Sequence, residues 1–213
     1  MKSHIMEMYT LGSIAAILFT NSSFAEDKTA SDKPGAAQSN AGADMEEMTK
    51  RWEAYATPGV NHKTLEPLVG QWTVEARFWM GGQGNPPTES KGTAKVQWIL
   101  GSRYLQEEFS GELMQRPFQG MGITAYDNFK KKYLSTWIDS VGTSIFMCEG
   151  TSDETGKVLT FLGRMDEPAT GQKDKPTKYI IRVVSPDKHI FEMHDLTLGD
   201  KSKVFEMTYT RKS

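Results

Sequence analysis

From Gly70 to the C-terminus the apolar residues recur at every second position. That spacing puts them together only on one face of extended strands. Trp72, Val74, Ala76 and Phe78 alternate with Thr73, Glu75, Arg77 and Trp79, which describes a half-buried strand. Gly81–Thr88 reads as a loop, and Gly101-Ser102 suits a two-residue turn with Gly at its first central position. A hairpin about that turn pairs Trp98 with Leu105, Val96 with Glu107 and Ala94 with Phe109. Asp153–Gly156 joins two further strands whose common face holds Phe146, Cys148, Leu159 and Phe161. Pro186 and Asp187 occupy turn positions within Ser185–Lys188, and Gly199-Asp200 makes the last connection. In this register the last three strands share a face of Tyr179, Ile181, Val183, Ile190, Glu192, His194, Leu196, Phe205, Met207 and Tyr209. About ten strands are expected. No stretch after residue 70 reads as a long helix, so a βαβ fold is excluded, and no internal repeat is present.

The N-terminal third has a different organisation. Lys2 and His4 open a short n-region, Met8–Thr20 is apolar, and Ser23-Phe24-Ala25 places small residues before Glu26. The apolar run falls short of the ~20 residues a membrane span needs. Residues 1–25 are therefore expected to be a cleaved export signal, leaving the protein periplasmic or secreted without stable membrane insertion; an uncleaved anchor is the alternative. Residues 26–43 lack any large apolar side chain and are expected to be a disordered linker. Residues 44–69 are expected to form a helical segment. Asp44 caps it with Glu47 as capping-box partner, Met45, Met48, Trp52 and Tyr55 fall on one face, and Pro58-Gly59 stops the first helix. That stripe is expected to dock on the chain's own domain, leaving residues 70–213 as the barrel.

Composition narrows the function classes. Lys and Arg number 25 against 27 Asp and Glu, with no basic stripe, which gives no electrostatic footprint for nucleic acid. Cys148 is the single cysteine, so disulfides and cysteine-rich metal sites are out. No phosphate-binding glycine loop, nucleophile elbow or zinc-protease helix appears. The sequence calls for no cofactor and no metal, and it leaves the oligomeric state open.

Gly70-Gln71-Trp72, preceded by a helical turn, resembles the G-x-W signature of the calycins, the lipocalin and fatty-acid-binding superfamily. A longer likeness runs over residues ~58–212 by the motif segments it matches. PGVNHKTLEPLVGQW, GTAKVQWILGSRYL, RPFQGMGITAYDN, KKYLSTWIDSVGT and MTYTRK are similar to a bacterial family known as domain of unknown function 1579. Ala125 and Ser102 stand where that family has glycine. The resemblance implies an antiparallel up-and-down β-barrel of lipocalin type and no settled activity. It also implies that Trp72 packs at the closed end against Arg211 of the last strand.

Candidate site residues come from the faces set out above. Glu107 and Glu192 lie on otherwise apolar faces, where a carboxylate is costly unless paired. They could bind a polar ligand group, act as acid or base, or strut the barrel through Arg103, Arg211 or backbone groups. His194, two residues from Glu192, could anchor a ligand or ligate haem iron. Trp137 and Tyr133 share a face, and with Tyr179, Phe205 and Met207 they could line a cavity. Cys148 reads as a small buried hydrophobe. The expectation is a binding module for a small apolar or amphipathic molecule. An acid–base enzyme and a haem-binding barrel are the alternatives, which fold alone does not separate.

Overall fold

The structure is a computed structural model that describes residues 37–79 and 82–213, the side chains at 37–41, 200 and 201 excepted. The expected export signal and residues 26–36 of the expected linker lie outside the described residues. Ten antiparallel strands close into a barrel in which each is hydrogen-bonded to its sequence neighbour and the last to the first. They are β1 Gly70–Phe78, β2 Thr88–Ile99, β3 Tyr104–Leu113, β4 Arg116–Asp127, β5 Lys132–Asp139, β6 Phe146–Ser152, β7 Val158–Glu167, β8 Gln172–Ser185, β9 Lys188–Asp195 and β10 Lys203–Arg211. The alternation of apolar and polar residues drives this closure, since a closed sheet buries one face and leaves no edge.

Among the described residues two helices precede the barrel, α1 (Ala37–Ala56) and α2 (Val60–Lys63), followed by a 3₁₀ turn at Glu66–Leu68. Helix α1 starts seven residues before the Asp44 cap the sequence suggested, so 37–43 are helical, not linker. Its apolar stripe is not buried as expected: Met45, Met48, Trp52 and Tyr55 are about half exposed. The chain divides into two units, Met1–Met45 and Glu46–Ser213, the first described only from Ala37. In α2 the N–H of Gly59 donates to His62 Nδ1 at 3.1 Å, so His62 caps the turn. Leu65 and Leu68 are buried in the core with Trp72 and plug this end of the barrel.

The plug is locked by the G-x-W segment. Trp72 is fully buried, its Nε1–H donates to Leu68 O at 3.0 Å, and the Arg211 guanidinium lies 4.2 Å from its ring centroid. Arg211 Nη1 donates to Val69 O at 2.7 Å and Nη2 to Pro67 O at 3.2 Å. Gly70 has φ +146°, and a Cβ there would overlap the guanidinium, so the motif's glycine makes room for its cation.

The hairpin of β2 and β3 has the expected register, Val96 opposite Glu107 and Ala94 opposite Phe109. Strand β9 does not. The turn pairs Ser185 with Lys188 as expected, but the register slips between Val183 and Ser185, and Val183 then faces His189 instead of Ile190. Val184 is the extra residue of this bulge and points to solvent. One extra residue turns the whole of β9 over. His189, Phe191 and Met193 share the inner register with Tyr209, Met207 and Phe205, while Ile190, Glu192 and His194 lie on the outer wall. Leu196, expected inside, is exposed at the start of a 3₁₀ segment, Leu196–Lys201.

Candidate functional site: the barrel lumen

Below the plug the lumen has a polar floor. Glu107 from β3 accepts a hydrogen bond from the Tyr209 hydroxyl of β10 at 2.9 Å. The His189 ring is stacked on Tyr209 at 4.1 Å, and Trp72 meets it edge-on at 4.4 Å. His189 is buried, and its Nδ1 has no hydrogen-bond partner. Glu107, His189 and Tyr209 line a cavity of about 40 Å³ together with Leu68, Val96, Leu105, Thr124, Ile181 and Phe191. That space accommodates a water or two, since one needs on the order of 10–15 Å³ by the same measure.

Burial sets the protonation of the floor. It raises the Glu107 carboxyl above its ordinary value against the opposing hydrogen bond from Tyr209. Burial, helped by the Arg211 charge, lowers His189 to about 3. Tyr209 is raised well above its ordinary value by burial and by Glu107. The floor is therefore a neutral imidazole beside a carboxyl that resists ionisation and a phenol that keeps its proton.

Above the floor the wall is aromatic. Ring centroids follow one another from Phe146 to Tyr179 (4.7 Å), Phe191 (5.2 Å), Phe205 (6.3 Å) and Phe78 (6.3 Å). Trp137 belongs to the same wall. A Cβ at Gly120 or Gly122 would press into its indole, so these glycines let the ring lie flat on β4. Its Nε1–H donates to Asp139 Oδ2 at 3.1 Å. Phe118, Trp137, Phe146, Tyr179, Phe191 and Phe205 all keep accessible surface although their strands place them inward. These partly accessible rings lie towards the end opposite the plug. There Lys175 and Asp195 form a buried ion pair at 2.6 Å.

The candidate residues thus divide. Glu107, Trp137, Tyr179, Phe205 and Met207 lie on the inner wall. Tyr133 is inside but committed to the plug, its hydroxyl donating to Asn61 O at 3.0 Å. Glu192 and His194 are corrected to the outer wall. Lys203 Nζ lies 2.6 Å from Glu206 and 3.4 Å from Glu192, while His194 Nδ1 shares a hydrogen bond with Ser202 Oγ at 3.1 Å. Glu192 and His194 lie 3.7 Å apart outside the barrel, so Glu107 does not converge with them and the haem alternative loses the lumen ligand it rested on. The barrel strut from Glu107 runs to Tyr209, not to an arginine.

His189 was missed because turn counting outweighed the strand's own pattern. In β9, Phe191 and Met193 make the alternating face that includes His189 the more apolar one, and that was the available signal. The Lys175–Asp195 pair, between residues twenty apart on neighbouring strands, carries no local signal. A second, open concavity of about 620 Å³ lies among Ile145, Met147, Leu162, Arg164, Pro176 and Leu196.

A closed ten-stranded antiparallel barrel, plugged at one end and aromatic at the other, defines a lipocalin-like class of protein. Within it the chain belongs to the family described as "Protein of unknown function (DUF1579)", which matches residues 57–211. No curated protein matches the chain. Among solved structures, Rv2717c from M. tuberculosis is similar over 74% of this chain and 100% of its own, at 14% identity and a TM-score of 0.54, which shows the fold. A redesigned beta barrel covers 70% of this chain and 96% of its own at 14% identity, with a TM-score of 0.38. EF1p2_mFAP2b bound to DFHBI covers 71% and 98% at 14% identity, also with a TM-score of 0.38.

Proposed function

We propose that the barrel binds a small, mainly apolar molecule through its aromatic end, with one polar group of the ligand reaching the floor at Glu107. The observation that carries this reading is the set of inward aromatic rings left partly accessible above a small polar-floored cavity. Apolar walls with a few fixed polar groups are the usual make-up of a ligand site. The neutral floor favours an uncharged hydroxyl or carbonyl over an ion, because a buried charge there would have no counter-ion. The reading keeps residues 1–25 as an export signal, so that binding takes place outside the cytoplasm. An N-terminal sequence starting at Glu26 in exported protein supports that part. Acid–base chemistry survives as a second reading only through Glu107, whose carboxyl burial holds towards the protonated form.

The test is titration with the uncharged fluorogenic dye Nile red, alongside native mass spectrometry of the protein as purified. Saturable one-to-one fluorescence, weakened by Tyr179→Ala and Trp137→Ala, supports the lumen. Fluorescence that those changes leave intact and Leu162→Asp removes would move the site to the outer concavity and overturn the reading.

A further inference from the structure

Helix α1 carries Met48, Trp52 and Tyr55 at successive spacings of four and three, and they are 46%, 51% and 46% exposed. Phe129, at the tip of the β4–β5 turn, is 83% exposed. The rings form one ladder, Trp52 to Tyr55 at 5.8 Å and Tyr55 to Phe129 at 6.5 Å, each edge to face. Fraying does not account for their exposure. Asn128 Nδ2 donates to the carbonyls of Ala54, Tyr55 and Thr57 at 3.3, 3.0 and 2.8 Å, and Arg103 Nε donates to Ala56 O at 2.9 Å. Two barrel loops therefore hold the end of the helix and present its rings to solvent.

The charges around the ladder are biased. Lys130 and Lys131 follow Phe129 directly, are exposed, and form no salt bridge among the described residues. Arg103 is bonded to the carbonyls of Ala56 and Leu100, so its charge is not cancelled there. On the helix, Glu46 pairs with Lys50 and Glu47 with Arg51. Glu53, Asp127 and Glu149 oppose the excess; Glu149 is paired with Lys132, and the Asp127 carboxylate is occupied by the N–H groups of Phe129 and Lys130.

We propose that this face, the Met48–Trp52–Tyr55–Phe129 ladder beside Lys130 and Lys131, docks the protein on the surface of an anionic lipid bilayer. Trp and Tyr rings suit the depth of the headgroups, and lysines at their edge meet the lipid phosphates. A second copy is the poorer occupant, because a two-fold contact through the same patch sets its lysines against each other. The docking is peripheral, for no helix among the described residues is long and apolar enough to cross a membrane.

The experiment places an environment-sensitive dye at position 129 of the full chain through Phe129→Cys. Cys148 stays unlabelled, since burial pushes its thiol up to about 12. A second labelled variant, Thr170→Cys, reports from the β7–β8 turn at the other end of the barrel. Vesicles of phosphatidylglycerol with phosphatidylcholine should shift the emission at 129 to the blue and leave 170 unchanged. Lys130→Glu with Lys131→Glu should weaken the response about tenfold or more, and rising salt should weaken it too. Attachment through the apolar stretch Met8–Thr20 alone would leave position 129 unshifted and overturn the proposal. So would an equal shift on pure phosphatidylcholine, an equal shift at 170, or a shift that follows protein concentration without vesicles.

Discussion

The Tyr209 hydroxyl donates to the Glu107 carboxylate across the lumen at 2.9 Å, joining β10 to β3 with two strands between them. Burial outweighs that bond, which by itself favours the ionised form, so the folded protein holds the carboxyl towards its protonated form. The unfolded chain loses that proton at the ordinary carboxylate value, whereas the fold holds it to higher pH. Stability therefore falls as pH rises through that interval and levels off above it. Glu107→Gln keeps an acceptor for Tyr209 and removes the ionisation. Thermal denaturation should show the variant gaining on the wild type from acid to neutral pH, with the difference vanishing below the ordinary carboxylate range.

His189 has the opposite sign. Its folded value, about 3, lies below the unfolded one, so the unfolded chain takes up a proton first as pH falls. Stability from the neutral imidazole is complete above about 6.5 and is lost on the way down to about 3. A depression of that size corresponds to at most ~5 kcal/mol. His189→Gln should flatten the acid limb of a pH–stability curve measured in urea. His62 and His194 are also lowered by burial, so a smaller limb remains.

The fate of His189 shows what the sequence could express. The β2–β3 hairpin was legible because both strands alternate cleanly and the turn between Ile99 and Tyr104 keeps the expected pairing. Strand β9 was misread because the bulge at Val184 adds one residue where turn chemistry signals none. Asp127 and Asp139 each accept from two following N–H groups, short-range turn chemistry that a local sequence pattern does encode. Asn128 reaches carbonyls more than seventy residues away, and no local pattern encodes that. The amphipathic stripe of α1 was plain, but periodicity does not say whether a face meets protein or solvent.

That reach of Asn128 is itself testable. It occupies three carbonyls at the end of α1, a role more often filled by backbone groups or solvent. Asn128→Ala should cost about 1 kcal/mol, the net worth of exposed side-chain hydrogen bonds. Amide hydrogen exchange should speed up over residues 50–57 and remain slow in β1. Equal acceleration throughout the barrel would mean that Asn128 supports the whole fold.

At the plug, Trp72→Ala should cost ~3–5 kcal/mol, the range for a large aromatic removed from a core. Arg211→Met should cost less, since it keeps an apolar stem over the indole but abandons the carbonyls of Pro67, Val69 and Pro186. Gly70→Ala should resemble Arg211→Met and add little to it in the double variant, because its Cβ acts by displacing that guanidinium. Urea denaturation of the four proteins checks the order.

The glycine pair under Trp137 gives a test of the lumen that removes no lining side chain. A methyl group at Gly120 would overlap the six-membered ring of the indole, while one at Gly122 would touch the same ring more lightly. Both positions lie on the inner face of β4, with Gly122 directly opposite Trp137 in the ladder. In Gly120→Ala the indole must lift from the wall, give up its hydrogen bond to Asp139, and swing into the space between the rings. The lumen then narrows although no lining side chain has been removed. Dye affinity should fall more for Gly120→Ala than for Gly122→Ala, and Gly120→Ala with Trp137→Leu should recover part of the loss. Unchanged affinity in Gly120→Ala, with Trp137 fluorescence visibly altered, would show that bound molecules do not enter between the aromatic rings.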